Sequence, residues 1–164
     1  MRKSIVLGCA LAAAVNASAF GAPAPTCDPV RNPIPATRYE TKGAEVLDKE
    51  TGLTWQRCSV GQEWKEGAGC TGAVAVFDWK NAAKQAGRGW RLPTRDELLA
   101  LVSKACSPSI NPEAFPGLDP INLWYWSADQ TDKDLAWLVQ FGGGATFNGY
   151  QTSKNAVRLV RSGK

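Results

Sequence analysis

Four cysteines, Cys27, Cys58, Cys70 and Cys106, follow a start built for export, and together they limit how this chain can fold. Arg2 and Lys3 precede an apolar run from Ile5 to Val15, and Ala17-Ser18-Ala19 presents small residues where a signal peptidase cuts. The expectation is a signal peptide over residues 1–19, whose removal takes Cys9 with it. A lipoprotein reading at Cys9 leaves only about five residues for an apolar region that usually needs seven or more. The run, broken by Asn16 and Ser18, is also short of the roughly 20 residues of a membrane span, so no membrane span is expected.

An even number of cysteines in an oxidising compartment reads as two disulfides. Of the three possible pairings, Cys58 with Cys70 and Cys27 with Cys106 is favoured: the first closes a short Gly-rich loop, and the second ties a loose N-terminal segment to the body. A zinc site is disfavoured because the chain has no histidine and no Cys-x-x-Cys pair. Loss of Arg2 and Lys3 takes the formal charge from +4 to +2. Acids and bases are interspersed, so no polybasic footprint for nucleic acid is present.

The mature part is read as a Pro-rich extended leader over residues 20–38 followed by one domain over residues 39–164. Five prolines between 22 and 35 exclude helix there. Residues 39–58 read as a hairpin turning at Asp48-Lys49-Glu50-Thr51-Gly52. Residues 77–85 read as a helix capped by Asp78, and a second helix runs from the capping box Thr94/Glu97 along Leu98, Leu101, Val102 and Ala105 to about Cys106. Residues 107–122, with four prolines, read as a long shaped loop. Strands are expected over 123–127, 136–141 and 157–161, with a polar turn over 129–134 and a polar surface segment over 145–155. This pattern predicts an α+β domain with a mostly antiparallel sheet.

The strings Thr51-Gly52-Leu53-Thr54-Trp55-Gln56-Arg57-Cys58, Gly89-Trp90-Arg91-Leu92-Pro93-Thr94-Arg95-Asp96-Glu97-Leu98, Tyr125-Trp126-Ser127, Ala136-Trp137-Leu138-Val139-Gln140-Phe141 and Val157-Arg158-Leu159-Val160-Arg161 closely resemble the Lcl C-terminal domain family. The resemblance covers roughly residues 39–161. It implies a C-type-lectin-like fold, related to the formylglycine-generating enzyme group, with two helices, a twisted sheet whose first and last strands lie together, and long loops over one face. It also implies an adhesive or binding role, sometimes toward sulfated glycans. The chain lacks the collagen-like repeat of the family's namesake, and the low mature charge argues against a sulfated ligand.

Without histidine, imidazole-based catalysis is excluded, and four cysteines in an oxidising compartment are more simply structural than redox-active. No enzyme and no cofactor are therefore expected. Of seven tryptophans, Trp55, Trp79, Trp90, Trp126 and Trp137 fall in strand or helix patterns and read as core, while Trp64 and Trp124 stand at loops. Asp129, Asp132 and Asp134 form a weak calcium candidate that lacks the Gly and terminal Glu of an EF-hand loop. Arg91, Arg95, Arg158 and Arg161 read as structural ion pairs, with Asp96 the expected partner of Arg158. The expected function is an exported, non-enzymatic binding module, periplasmic or secreted, whose partner is a glycan or an envelope protein. Its contact surface is expected over residues 107–123 and 145–151, with Trp124, Phe147, Asn148 and Tyr150 as ligand-binding side chains. The competing readings are a structural or assembly protein docking in the envelope and, third, an enzyme of unknown type.

Overall fold

The computed structural model of the protein describes residues 26–27, 37–103, 106–107, 109–118 and 122–163; at 26, 27, 106 and 107 the description is of backbone only. The expected signal peptide, Cys9 and the leader's prolines lie outside the described residues. In chain order the elements are β1 (Thr26–Cys27), β2 (Tyr39–Lys42), β3 (Glu45–Asp48), β4 (Leu53–Gln56), β5 (Glu63–Lys65), β6 (Gly69–Thr71), β7 (Val76–Phe77), α1 (Trp79–Ala83) and α2 (Arg95–Ala100). There follow β8 (Cys106–Ser107), β9 (Trp124–Asp132), β10 (Leu135–Gln140), β11 (Ala145–Tyr150), β12 (Asn155–Ala156) and β13 (Val160–Ser162).

Two sheets dominate. One has the order β13-β4-β3-β2 and the other β11-β10-β9-β12-β7, with small two-stranded pieces β1-β8 and β5-β6 beside them. The hairpin expected at Asp48–Gly52 forms between β3 and β4. Gly52 takes φ +69°, a region closed to most side chains, and its N–H donates to Asp48 O at 2.8 Å. Asp48 is fully buried and held by Arg38 through two hydrogen bonds of 2.9 and 2.7 Å, while the same guanidinium reaches Ala100 O at the end of α2.

The α+β, C-type-lectin-like expectation does not hold: the protein is mostly β. Its helices have five and six residues, too short to be stable without packing. The capping box of α2 forms as read, with Thr94 accepting from Glu97 N–H and Glu97 accepting from Thr94 N–H. The helix nevertheless stops at Ala100, because six residues later the backbone of Cys106–Ser107 is committed to pairing with Thr26–Cys27. Tertiary sheet pairing thus overrides a helical pattern. The first and last strands of the four-stranded sheet do not lie together either: β13 pairs with β4, at the edge opposite β2. Residues 129–132 extend β9 rather than forming a turn, with register shifts along its pairing to β10. The 145–155 stretch is a surface segment that begins as β11, which pairs with β10 along its whole length.

The two sheets share one spine. Ala156 in β12 pairs with Tyr125 of β9; the chain then runs buried through Val157, Arg158 and Leu159 into β13. Along it, Val60 N–H donates to Val157 O and Gln56 N–H to Leu159 O. Arg158 is fully buried and faces no carboxylate among the described residues. Its guanidinium donates to Gln56 O, Arg57 O and Ser59 Oγ, and lies 5.2 Å from the Phe115 ring centre and 5.7 Å from that of Tyr125. Burial lowers its pKa. The expected Asp96 partner is instead a surface residue bonded to Arg95, since it opens a helix on the outside of the domain. The other expected arginine pairs form, Arg91 with Glu97 and Arg161 with Glu45, each at 2.6 Å.

The Cys58–Cys70 disulfide forms across a Cα separation of 5.4 Å. Cys27 stands opposite Cys106 in the backbone register of β1 and β8; the bond expected there involves side chains outside the described set.

Replacing both Cys58 and Cys70 with serine is expected to cost about 3 kcal/mol, read as a lower urea midpoint. Arg158→Met should cost a similar amount, about 3 kcal/mol, because it leaves the Gln56 and Arg57 carbonyls without their guanidinium donor; Arg158→Lys should recover only part of it, since three donors on one ammonium nitrogen do not reproduce the spread of the planar guanidinium fork. The Arg91 guanidinium, partly offset by burial, and the Thr94 N–H hold Glu97 below the ordinary glutamate pKa. That contribution is present above the ordinary value and disappears as pH falls through the lowered one. Thermal melts over the acid range should show Glu97→Gln less stable than the parent at neutral pH and less sensitive to acid.

Candidate functional site

The residues singled out in sequence do not converge. Along β11 alternate side chains point to opposite faces. Phe147 pairs in register with Leu138 and meets Trp124 at 6.0 Å between ring centres. Asn148 faces the other way, opposite Trp137, and Tyr150 opposite Leu135. Trp124 and Phe147 are therefore brought together, while Asn148 and Tyr150 are parted from them by the sheet. Nor is the 107–123 loop a contact surface throughout. Ile110, Ala114 and Phe115 within it are buried in the core, Phe115 edge-on to Tyr39 at 5.6 Å. A Pro-rich loop that encloses three apolar side chains serves packing first.

The three aspartates of the calcium candidate also separate. Asp129 accepts from the Arg95 N–H and so caps the first turn of α2. Asp132 accepts from the Lys133 N–H at the hairpin tip, and Asp134 lies 3.7 Å from the Lys133 ammonium. Among the described residues no group of three or more possible metal ligands gathers.

A cleft of about 410 Å³ opens elsewhere, beside the disulfide. Its lining combines buried Cys58, Ser59 and Leu159 with half-buried Glu45, Gln56, Gln62, Trp64, Gln85 and Trp90. The disulfide loop folds into the β5-β6 hairpin, in which Trp64 stands directly opposite Cys70. Residues opposite one another in an antiparallel pair share a face, so the Cys58–Cys70 bond sets Trp64 against the cleft. Trp90 comes from the tight turn that begins at Gly87, where Gly87 and Trp90 exchange backbone hydrogen bonds of 3.0 Å. Gly61 lines the same cleft at φ +95°, and a Cβ there would come within 2.5 Å of Ala75 N, so only glycine permits the approach of these two chain segments.

Each cleft tryptophan carries a guanidinium over its ring. Arg57 stands 3.9 Å from the Trp64 centre and is itself pinned to the carbonyls of Gly43, Glu113 and Ala114. Arg161 stands 4.7 Å from the Trp90 centre and is held by Glu45. These contacts fix both rings in orientation. Amide groups surround them. The Gln85 Nε2 reaches Asn81 O, Gln62 accepts from Ser59 N–H through its Oε1, and the side-chain amide of Gln56 has no hydrogen-bond partner among the described residues. The Ser59 hydroxyl is shared with Tyr125 Oη at 2.9 Å and Arg158 Nη2 at 3.1 Å, neither of them a base that would activate it. The cleft therefore offers flat apolar ring surface with amide donors and acceptors.

Sequence reading placed Trp90 in the core, against which it does pack while half-buried, without its second role in the cleft, and left Trp64 undecided. The available signal was the pair of glycines just before Trp90, Gly87 and Gly89, which detaches that indole from the helical pattern before it.

The fold and the cleft together define a disulfide-stapled, mostly-β domain with an aromatic and amide-lined groove. Residues 44–161 match the family model described as the Lcl C-terminal domain, and the chain belongs to that family. No curated protein matches the chain. Among the described residues, no helix is long and apolar enough to cross a membrane.

Proposed function

We propose that this protein is an exported, non-enzymatic recognition module that holds a saccharide against Trp64 and Trp90. The observation that carries the reading is the pair of half-buried indoles, each braced by an arginine, lining one cleft with three glutamine side chains. Sugar rings have an apolar face that stacks on an indole and hydroxyl groups at their edge that exchange hydrogen bonds with amides. Bracing lowers the cost of binding, because the rings are already ordered before a ligand arrives. Export to the periplasm or the exterior fits the basic, apolar and small-residue pattern of residues 1–19 and the Cys58–Cys70 bond.

A glycan array probed with the purified protein, followed by calorimetry on the strongest sugar, tests this. Trp64→Ala and Trp90→Ala should each weaken binding at least tenfold, about 1.4 kcal/mol, with near-UV circular dichroism otherwise retained. Phe147→Ala and Tyr150→Ala should leave sugar affinity unchanged. Capture of one envelope protein with no sugar bound would replace the saccharide reading with docking in the envelope, and turnover of a bound glycan would overturn the non-enzymatic assignment.

A further inference from the structure

Three large apolar side chains stand exposed among the described residues, Val76, Phe147 and Tyr150, and all three lie on the two edge strands of the five-stranded sheet. The two edges differ. β7 has only two residues, whereas β11 has six, Ala145-Thr146-Phe147-Asn148-Gly149-Tyr150, paired among the described residues with β10 on one side only. Natural edge strands of this length are normally blunted by a charge, a proline or a bulge. β11 has no charge and no proline, and its register with β10 is unbroken. Phe147 is 58% exposed and Tyr150 66%.

The hydrogen-bonding phase of this edge follows from one contact. Gln151 N–H donates to Asp134 O at 2.9 Å, which makes Gln151 and Asp134 a hydrogen-bonded pair. In an antiparallel ladder such pairs alternate. Gly149, Phe147 and Ala145 then direct their backbone groups toward β10, and Thr146, Asn148 and Tyr150 direct theirs outward, where the Tyr150 carbonyl already accepts from the Ser153 N–H at 2.8 Å. An arriving strand must bond to Thr146, to Asn148 and to the Tyr150 N–H.

We propose that the arriving strand is β11 of a second copy of this chain, antiparallel, with Asn148 on the two-fold axis. In that register the outward-directed residues meet one another: Asn148 faces its own copy and Thr146 faces Tyr150. The residues between them pair Phe147 with Gly149. Each match is favourable for a separate reason. A β-branched residue opposite an aromatic ring is a stabilising cross-strand pair, and an aromatic ring laid over a cross-strand glycine covers the backbone that glycine leaves bare. Because the strand is uncharged, two copies meet without like-charge repulsion. The contact is isologous and closes at two subunits, joining two five-stranded sheets into one. It uses no residue of the Trp64/Trp90 cleft and is independent of what that cleft binds.

Sedimentation equilibrium on the purified protein should give twice the mass of the chain. Asn148→Pro removes an N–H that points away from β10, so it costs no internal hydrogen bond; it should halve the mass while near-UV circular dichroism stays the same. Asn148→Cys supplies the positive test. Hydrogen-bonded partners in an antiparallel ladder stand about 5.5 Å apart at Cα, within the roughly 4.4–6.8 Å that a disulfide spans, so oxidation should cross-link this variant into a dimer on a non-reducing gel. A monomeric parent protein would overturn the proposal. So would a dimer that Asn148→Pro leaves intact and Asn148→Cys does not cross-link, or a mass that keeps rising with concentration.

Discussion

A buried guanidinium with no carboxylate partner among the described residues holds this fold at its centre. Arg158 sits on the length of chain that returns from the five-stranded sheet to the four-stranded one, and its hydrogen bonds reach back to Gln56, Arg57 and Ser59 at the exit of β4. Burying a lone cation is costly, and here the cost is offset by two carbonyl dipoles, a hydroxyl and two aromatic faces rather than by a carboxylate. The consequence is positional. The segment carrying Cys58 and Ser59 cannot move relative to the β12–β13 spine without stranding that charge.

The cleft inherits its shape from this junction. Ser59 is bonded on one side to the Arg158–Tyr125 group in the core and lies on the other in the cleft lining. Cys58 beside it ties the β5-β6 hairpin in place, so that Trp64 is presented by a covalent staple and oriented by Arg57. Trp90 is oriented by Arg161, three residues beyond Arg158 on the same spine. One continuous set of arginine contacts thus organises both the core and the groove, and the exposed β11 edge stands apart from it on the far strand of the other sheet.

Much of the local structure was legible in the residues. The turn at Asp48–Gly52, the capping box at Thr94 and Glu97, the Asp78 cap and the Cys58–Cys70 pairing are short-range features, each set by the geometry of a few neighbouring side chains. Errors arose where distant segments compete. The apolar stripe Leu98, Leu101 and Val102 has a helical period, yet the helix ends at Ala100. The 145–155 stretch looks like a polar surface segment because only Gly149 within β11 is buried; the sheet is contributed by β10, not by β11's own side chains. Arg158 alternates with apolar neighbours as a half-exposed strand residue would, but it lies where two sheets meet and has no exposed side.

From its own order, then, the sequence determined membership of the Lcl C-terminal domain family, the placing of turns and caps, and the compatibility of Cys58 and Cys70, since these depend on residues near one another or on motif strings. The fold class, the groove and the separation of Phe147 from Asn148 were decided only by tertiary structure. They depend on which strands pair and on which side of a pairing a residue falls, and a shift of one position in register exchanges the two faces.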